Sequence, residues 1–139
     1  MGSGGHAGDV LGLIEDLRRL ENCQFKRVLV ADERLDRQDR FAGREAALVL
    51  GESNGFQMAT HFIAAKGYPQ ARSETADRAL RSGLEPFVPL VHPTGNLNPN
   101  TSIGAGSVVL ALCSMSAGVR IGGIAHISRG ADRSRHYLR

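Results

Sequence analysis

From Asp9 to Leu20 the apolar residues Val10, Leu11, Leu13, Ile14, Leu17 and Leu20 recur at spacings of three and four, with Glu15, Asp16, Arg18 and Arg19 between them. That stripe predicts an amphipathic helix. The short run Arg27 to Ala31, ending in Asp32 and Glu33, reads as a buried strand with a polar C-terminal end. A charged loop follows over Leu35 to Arg44. Ala46 to Leu50 reads as another strand, leading into a turn signal at Gly51 to Gly55. His61 to Ala65 is a third strand candidate. Gln70 to Arg81 has the pattern of a polar-faced helix stopped by Gly83, and Phe87 to Val91 that of an extended segment bent at Pro89. Strands alternating with helices predict a parallel α/β layer over residues 1 to about 86.

From Val91 the period changes. An apolar residue recurs every six positions at Val91, Leu97, Ile103, Val109, Met115, Ile121 and Ile127. Four residues after each stands a small or β-branched one: Gly95, Thr101, Ser107, Cys113, Val119, Ala125 and Ala131. Six is the period of neither a helix nor a flat sheet; it belongs to a parallel β-helix in which each hexad makes one flat side. The periodic aliphatic then points to the axis and the small residue lets the chain turn the corner. The competing reading is two or three antiparallel strands joined by Gly-rich turns. Three hexads close a coil, so seven give a little over two coils. The next in-frame position is Arg133, which cannot occupy a dry interior unpaired, and the repeat is expected to end there.

With 139 residues, 42% of them hydrophobic and 22% charged, the chain has the size of one domain or two small ones and buries enough surface to fold. Its 17 Lys and Arg are interspersed with 14 Asp and Glu, a balance that gives no nucleic-acid footprint. Cys23 and Cys113 show no CxxC or metal spacing, and the histidines His6, His61, His92, His126 and His136 are scattered, so no metal site is expected. No apolar run approaches the roughly 20 residues of a membrane span and the start shows no signal-peptide pattern, so the expectation is a soluble, cytoplasmic chain without a membrane partner.

Gly2-Ser3-Gly4-Gly5-His6, followed at once by a helix, has the form of a loop whose backbone N–H groups and helix dipole receive an anionic group. A flexible start is the plain alternative. Asp32, at the end of the second element, falls where a nucleotide-binding α/β unit places an acid on a ribose or base; a solvated loop acid is the other reading.

The order of these parts resembles bacterial nucleotide-sugar acyltransferases of the hexapeptide-repeat superfamily, the kind that acetylate sialic acid or amino-sugar nucleotides. The Gly4-Gly5-His6 turn, the helix to Leu20, Val28 to Glu33, Gly67-Tyr68-Pro69-Gln70-Ala71-Arg72, and Leu90-Val91-His92-Pro93 match that family's segments in order. The resemblance implies an α/β fold with a small Rossmann-like unit over 1–86, a left-handed β-helix of about two coils over 87–132 and a non-repeating basic tail over 133–139. It implies acetyl transfer from acetyl-CoA, as co-substrate, to an amino or hydroxyl group of a nucleotide-sugar, and a homotrimer built through the β-helix. Gly4, Gly5, His6, Asp32, Glu33 and Gly67 would then contact the nucleotide-sugar. The family's general base is a histidine followed by an acid; the matching position here is Arg135, so His136, one residue late and followed by Tyr137, is the candidate. The family's opening strand and later coils are not accounted for by these residues, which implies a chain shortened at both ends and incomplete or inactive as it stands. The alternative is a non-catalytic module that binds a nucleotide-sugar or self-associates.

Overall fold

The computed structural model describes residues 5–21, 27–32, 47–128, 132–133 and 137–138. Helix α1 spans Gly5–Glu21. It starts a turn earlier than the apolar stripe predicts, because Ala7 is buried and extends that stripe one turn upstream of Val10 and Leu11. Tertiary burial outweighs the poor helix propensity of glycine there. Leu20, expected on the apolar face, is exposed.

Strand β1 (Leu29–Asp32) pairs in parallel with β2 (Ala47–Leu50), with Leu29 opposite Ala47 and Asp32 opposite Leu50. The segment Gly51 to Gly55 is not a free turn. Gly51, at φ 86°, turns the chain out of β2 into helix α2 (Glu52–Met58). Gly55 lets that helix lie on β1, since a Cβ there would stand 2.5 Å from the Cβ of Ala31. Both glycines are required, one for backbone conformation and one for close approach. Strand β3 (His61–Phe62) leads to helix α3 (Pro69–Arg81), which Pro69 opens at its first turn, and then to β4 (Glu85–Pro86), parallel to β3. The described strands of this half form two two-stranded parallel sheets, β1-β2 and β3-β4.

The second half is a three-sided parallel β-helix. Strands β5 (Leu90–Val91), β6 (Asn96–Leu97), β7 (Ser102–Ile103), β8 (Val108–Val109), β9 (Ser114–Met115), β10 (Arg120–Ile121) and β11 (His126–Ile127) follow at six-residue steps. Val91 pairs with Val109 and Val109 with Ile127, Leu97 with Met115, and Ile103 with Ile121. Each partner lies eighteen residues on, three hexads to the coil. The repeat does not stop at Arg133. Strand β12 (Asp132–Arg133) pairs with β9, and β13 (Tyr137–Leu138) pairs with β10, Leu138 opposite Ile121, so every face carries three strands. Backbone groups make the ladder whatever side chain they carry, and a frame read from apolar side chains ends before the ladder does.

Val109, Met115, Ile121 and Ile127 fill the axis, and Ser107, Cys113, Val119 and Ala125 are buried with them. The small residues therefore line the interior. The chain turns one position earlier, where Asn100, Gly106, Leu112, Gly118 and Ile124 have φ between 61° and 79°, one left-handed residue at each of these five corners. Two buried polar groups are satisfied inside. Ser107 Oγ donates to the Gly122 carbonyl at 2.8 Å and accepts from the Ala125 amide at 3.1 Å, while Cys113 Sγ donates to the Ser128 carbonyl at 2.9 Å. Cys23 lies outside the described residues.

Helix α1 joins the two halves. Its buried residues share one core with Val30, Ile63 and Ala65 and with Leu90, Val108 and Leu110 of the β-helix. Each such aliphatic side chain contributes about 1.5–3 kcal/mol on burial. No helix among the described residues is long and apolar enough to cross a membrane.

Candidate functional site

The sequence-derived ligand residues fall at element ends. Gly5 and His6 open α1, Asp32 closes β1, and Gly67 stands in the turn before α3. Gly4, Glu33 and His136 lie outside the described residues. Gly67 has neither a left-handed φ nor a neighbour within 4 Å of where a Cβ would project. Nothing in the fold demands glycine there. Open space beside it, with Tyr68 exposed next to it, leaves room for a ligand to approach the main chain.

That turn is held by Arg72 of α3. Its side chain is buried, and its guanidinium donates from Nε to the Ile124 carbonyl at 2.8 Å and from Nη1 to the carbonyls of Lys66 at 3.0 Å and Gly67 at 3.5 Å. Burial holds its pKa below the ordinary guanidinium range. One planar fork thus ties the turn to a β-helix corner. Beneath it, Glu52 receives Arg78 at 3.0 Å and Lys66 at 3.6 Å, fixing α2 to α3.

At the other seam, α1 meets the first two coils around an open cavity of about 700 Å³ bordered by Gly12, Asp16, Arg19, His92 and Ala111. The Thr94 amide donates to His92 Nδ1 at 3.1 Å, so Nδ1 is an acceptor and the ring proton is assigned to Nε2. Nε2 donates to Asp16 Oδ2 at 2.9 Å. Thr94 Oγ1 lies 2.8 Å from Nδ1 and accepts the Leu112 amide at 2.9 Å. The hydrogen bond from His92, aided by Arg19 at 2.8 Å, holds the Asp16 carboxyl below its usual range against desolvation, which acts the other way. Both ring nitrogens of His92 are engaged, so the imidazole is a staple and not an available base. The sequence showed His92 only as part of the segment leading into the β-helix, and Asp16 only as a polar position on a helix. No local pattern links residues 76 apart.

His126 sits half-buried on β11, its backbone paired with Val108. Among the described residues no group of three or more His, Cys, Asp or Glu is placed to hold a metal ion.

An α/β unit stapled to a three-sided parallel β-helix is an architecture shared with solved sugar N-acetyltransferases. PerB from Caulobacter crescentus, in complex with CoA and GDP-perosamine, superposes with a TM-score of 0.67 at 24% identity, over 95% of this chain and 60% of that one. A variant of perosamine N-acetyltransferase from the same organism gives 0.71 at 22% identity, over 98% and 62%. The acetyltransferase domain of PglB from Neisseria gonorrhoeae, with acetyl coenzyme A, gives 0.77 at 20% identity, over 96% and 62%. This chain spans about 60% of the length of these proteins. No protein-family description and no curated protein matches the sequence.

Proposed function

We propose that the chain serves acetyl transfer from acetyl-CoA to an amino or hydroxyl group of a nucleotide-linked sugar. The observation that carries the reading is the eighteen-residue parallel coil joined to an α/β unit, an arrangement matched over nearly the whole chain by structures that hold CoA or acetyl-CoA. In this reading the nucleotide-sugar lies against the start of α1 and the end of β1, with Gly4, Gly5, His6, Asp32, Glu33 and Gly67 as its contacts. The dipole and exposed N–H groups at the start of a helix favour a phosphate, and the acids suit ribose hydroxyls. Acetyl-CoA lies along the left-handed β-helix, between neighbouring subunits of a homotrimer. The sugar amine attacks the thioester carbon, a base takes the amine proton, the C–S bond breaks, and that proton passes to the departing sulfur so that CoA leaves as the thiol. By the family resemblance His136, one residue beyond the matching position Arg135, is the candidate base; His92, with both ring nitrogens bonded, is not available for that role.

The test is to incubate the chain with acetyl-CoA and a GDP- or UDP-linked amino sugar and to follow thiol release. Release that needs both substrates and is lost in Asp32→Ala supports the reading. A rise in melting temperature with the nucleotide-sugar but no thiol release leaves a binding module and overturns the transferase. No response to either ligand overturns both.

A further inference from the structure

Tyr68 stands between the Gly67 turn and helix α3 and is 81% exposed. Its side chain makes neither a hydrogen bond nor a ring contact with any described residue. Its backbone, at φ -87° and ψ 130°, occupies the capping position of α3, and its carbonyl accepts the Arg72 amide at 2.9 Å. Asp, Asn, Ser or Thr at that position would accept an N–H of the first turn, a stabilising bond that Tyr68 forgoes. A ring left in water adds nothing to the core either. The residue serves neither the helix end nor the interior, and such a departure from what folding favours, beside the open space over Gly67, points to a ligand.

The turn beneath the ring is pinned. Buried Arg72 binds the carbonyls of Lys66, Gly67 and Ile124, and Pro69 fixes φ at the first turn of α3. An aromatic side chain has two rotatable bonds, so on a fixed main chain it loses little entropy when a ligand covers it. Its place also selects the part of the ligand it meets. In the acetyl-transfer reading, on which this inference rests, the acids take the ribose and the start of α1 takes the phosphates, which leaves the sugar for the Gly67 turn. The Arg72–Ile124 bond sets that turn against the β-helix, along which the acetyl donor lies in the same reading. A pyranose has a face lined by C–H bonds, which suits the negative face of an aromatic ring; a phosphate does not.

We infer that Tyr68 is a specificity-determining residue: its ring stacks on the C–H face of the acceptor hexose and holds that sugar at the seam between the α/β unit and the β-helix.

The intact chain and the variants Tyr68→Phe, Tyr68→Ala and Tyr68→Ser are titrated calorimetrically with UDP or GDP and with the corresponding amino-sugar nucleotides, and their melting temperatures are compared without ligand. In the parent the sugar-linked form is expected to bind more tightly than the free diphosphate. Tyr68→Ala is expected to bind the sugar-linked form about fivefold more weakly and the free diphosphate as the parent does, whereas Tyr68→Phe keeps both affinities. Tyr68→Ser gains a cap, so it melts higher than the parent while losing sugar affinity as Tyr68→Ala does, which separates the ligand role from any effect on folding. Unchanged affinity of Tyr68→Ala for the sugar-linked form, an equal loss for both ligands, or a loss in Tyr68→Phe as large as in Tyr68→Ala overturns the inference and leaves the acetyl-transfer reading standing. Failure of the parent to bind either ligand overturns both.

Discussion

His92 Nε2 donates to Asp16 Oδ2 across 2.9 Å, fastening helix α1 to the first coil of the β-helix. The His92 side chain is 8% exposed and that of Asp16 35%, so the bond sits at the edge of water. Asp16→Ala leaves the ring N–H without its acceptor and is expected to cost about 1–3 kcal/mol, with Asp16→Asn, which keeps an acceptor, costing less. The pH dependence has a definite sign. The folded carboxyl titrates below its unfolded value, so its contribution is complete above the unfolded pKa of roughly 4 and is lost as pH falls through the folded one. Urea midpoints measured from pH 6 to pH 2 check this: the acid loss of stability is smaller in Asp16→Asn than in the parent.

Arg72 satisfies three carbonyls from two parts of the chain. Arg72→Met strands them and is expected to destabilise by about 2–4 kcal/mol; Arg72→Lys, a point donor without the planar fork, recovers only part. Denaturant unfolding gives the stability. Faster amide exchange near Lys66 and Gly67 shows that the turn has been released.

Leu112 occupies a left-handed corner at φ 61° while 68% exposed, so its side chain gains little from burial and its backbone is strained. Leu112→Gly is expected to raise stability by about 0.5–1 kcal/mol, read as a higher melting temperature. Ile124, at φ 63°, differs because its side chain packs against the cluster of Phe62, Ala64 and Leu84. Ile124→Gly is expected to be neutral or destabilising, as lost packing offsets the relieved corner.

Two glycines separate folding from ligand approach. A Cβ on Gly104 would stand 2.4 Å from the Gly123 nitrogen, inside backbone that cannot yield, so Gly104→Ala is expected to cost upward of about 2 kcal/mol. Gly67→Ala meets open space and should leave the melting temperature unchanged. If the nucleotide-sugar passes over Gly67, the same variant weakens its binding, which calorimetric titration measures.

The β-helix was legible because one apolar position in six repeats without interruption from Val91 to Ile127, and the coordinates put those residues in an axis. Helix α1 was legible for the same reason at another period. Less was visible where glycine served packing. Gly51 and Gly55 carry the composition of a turn, but one introduces α2 and the other admits it onto Ala31. The third strands of two faces, at Arg133 and Leu138, were hidden because their pairing is made by main chain. The staples Asp16–His92 and Arg72–Ile124 join residues 76 and 52 positions apart, and such contacts leave no mark on either local pattern.

In the coil, distance along the chain behaves as an angle. Six residues advance the backbone by one side of the triangle and eighteen return it to the same side, one layer on, as Val91, Val109 and Ile127 do. A deletion of eighteen residues would shorten the tower yet leave each remaining group facing its former direction, whereas a deletion of six would swing everything downstream by a third of a revolution. The step from Ile121 to Leu138 is seventeen, one short of closure. Natural variation in length within such a tower is therefore expected in whole storeys.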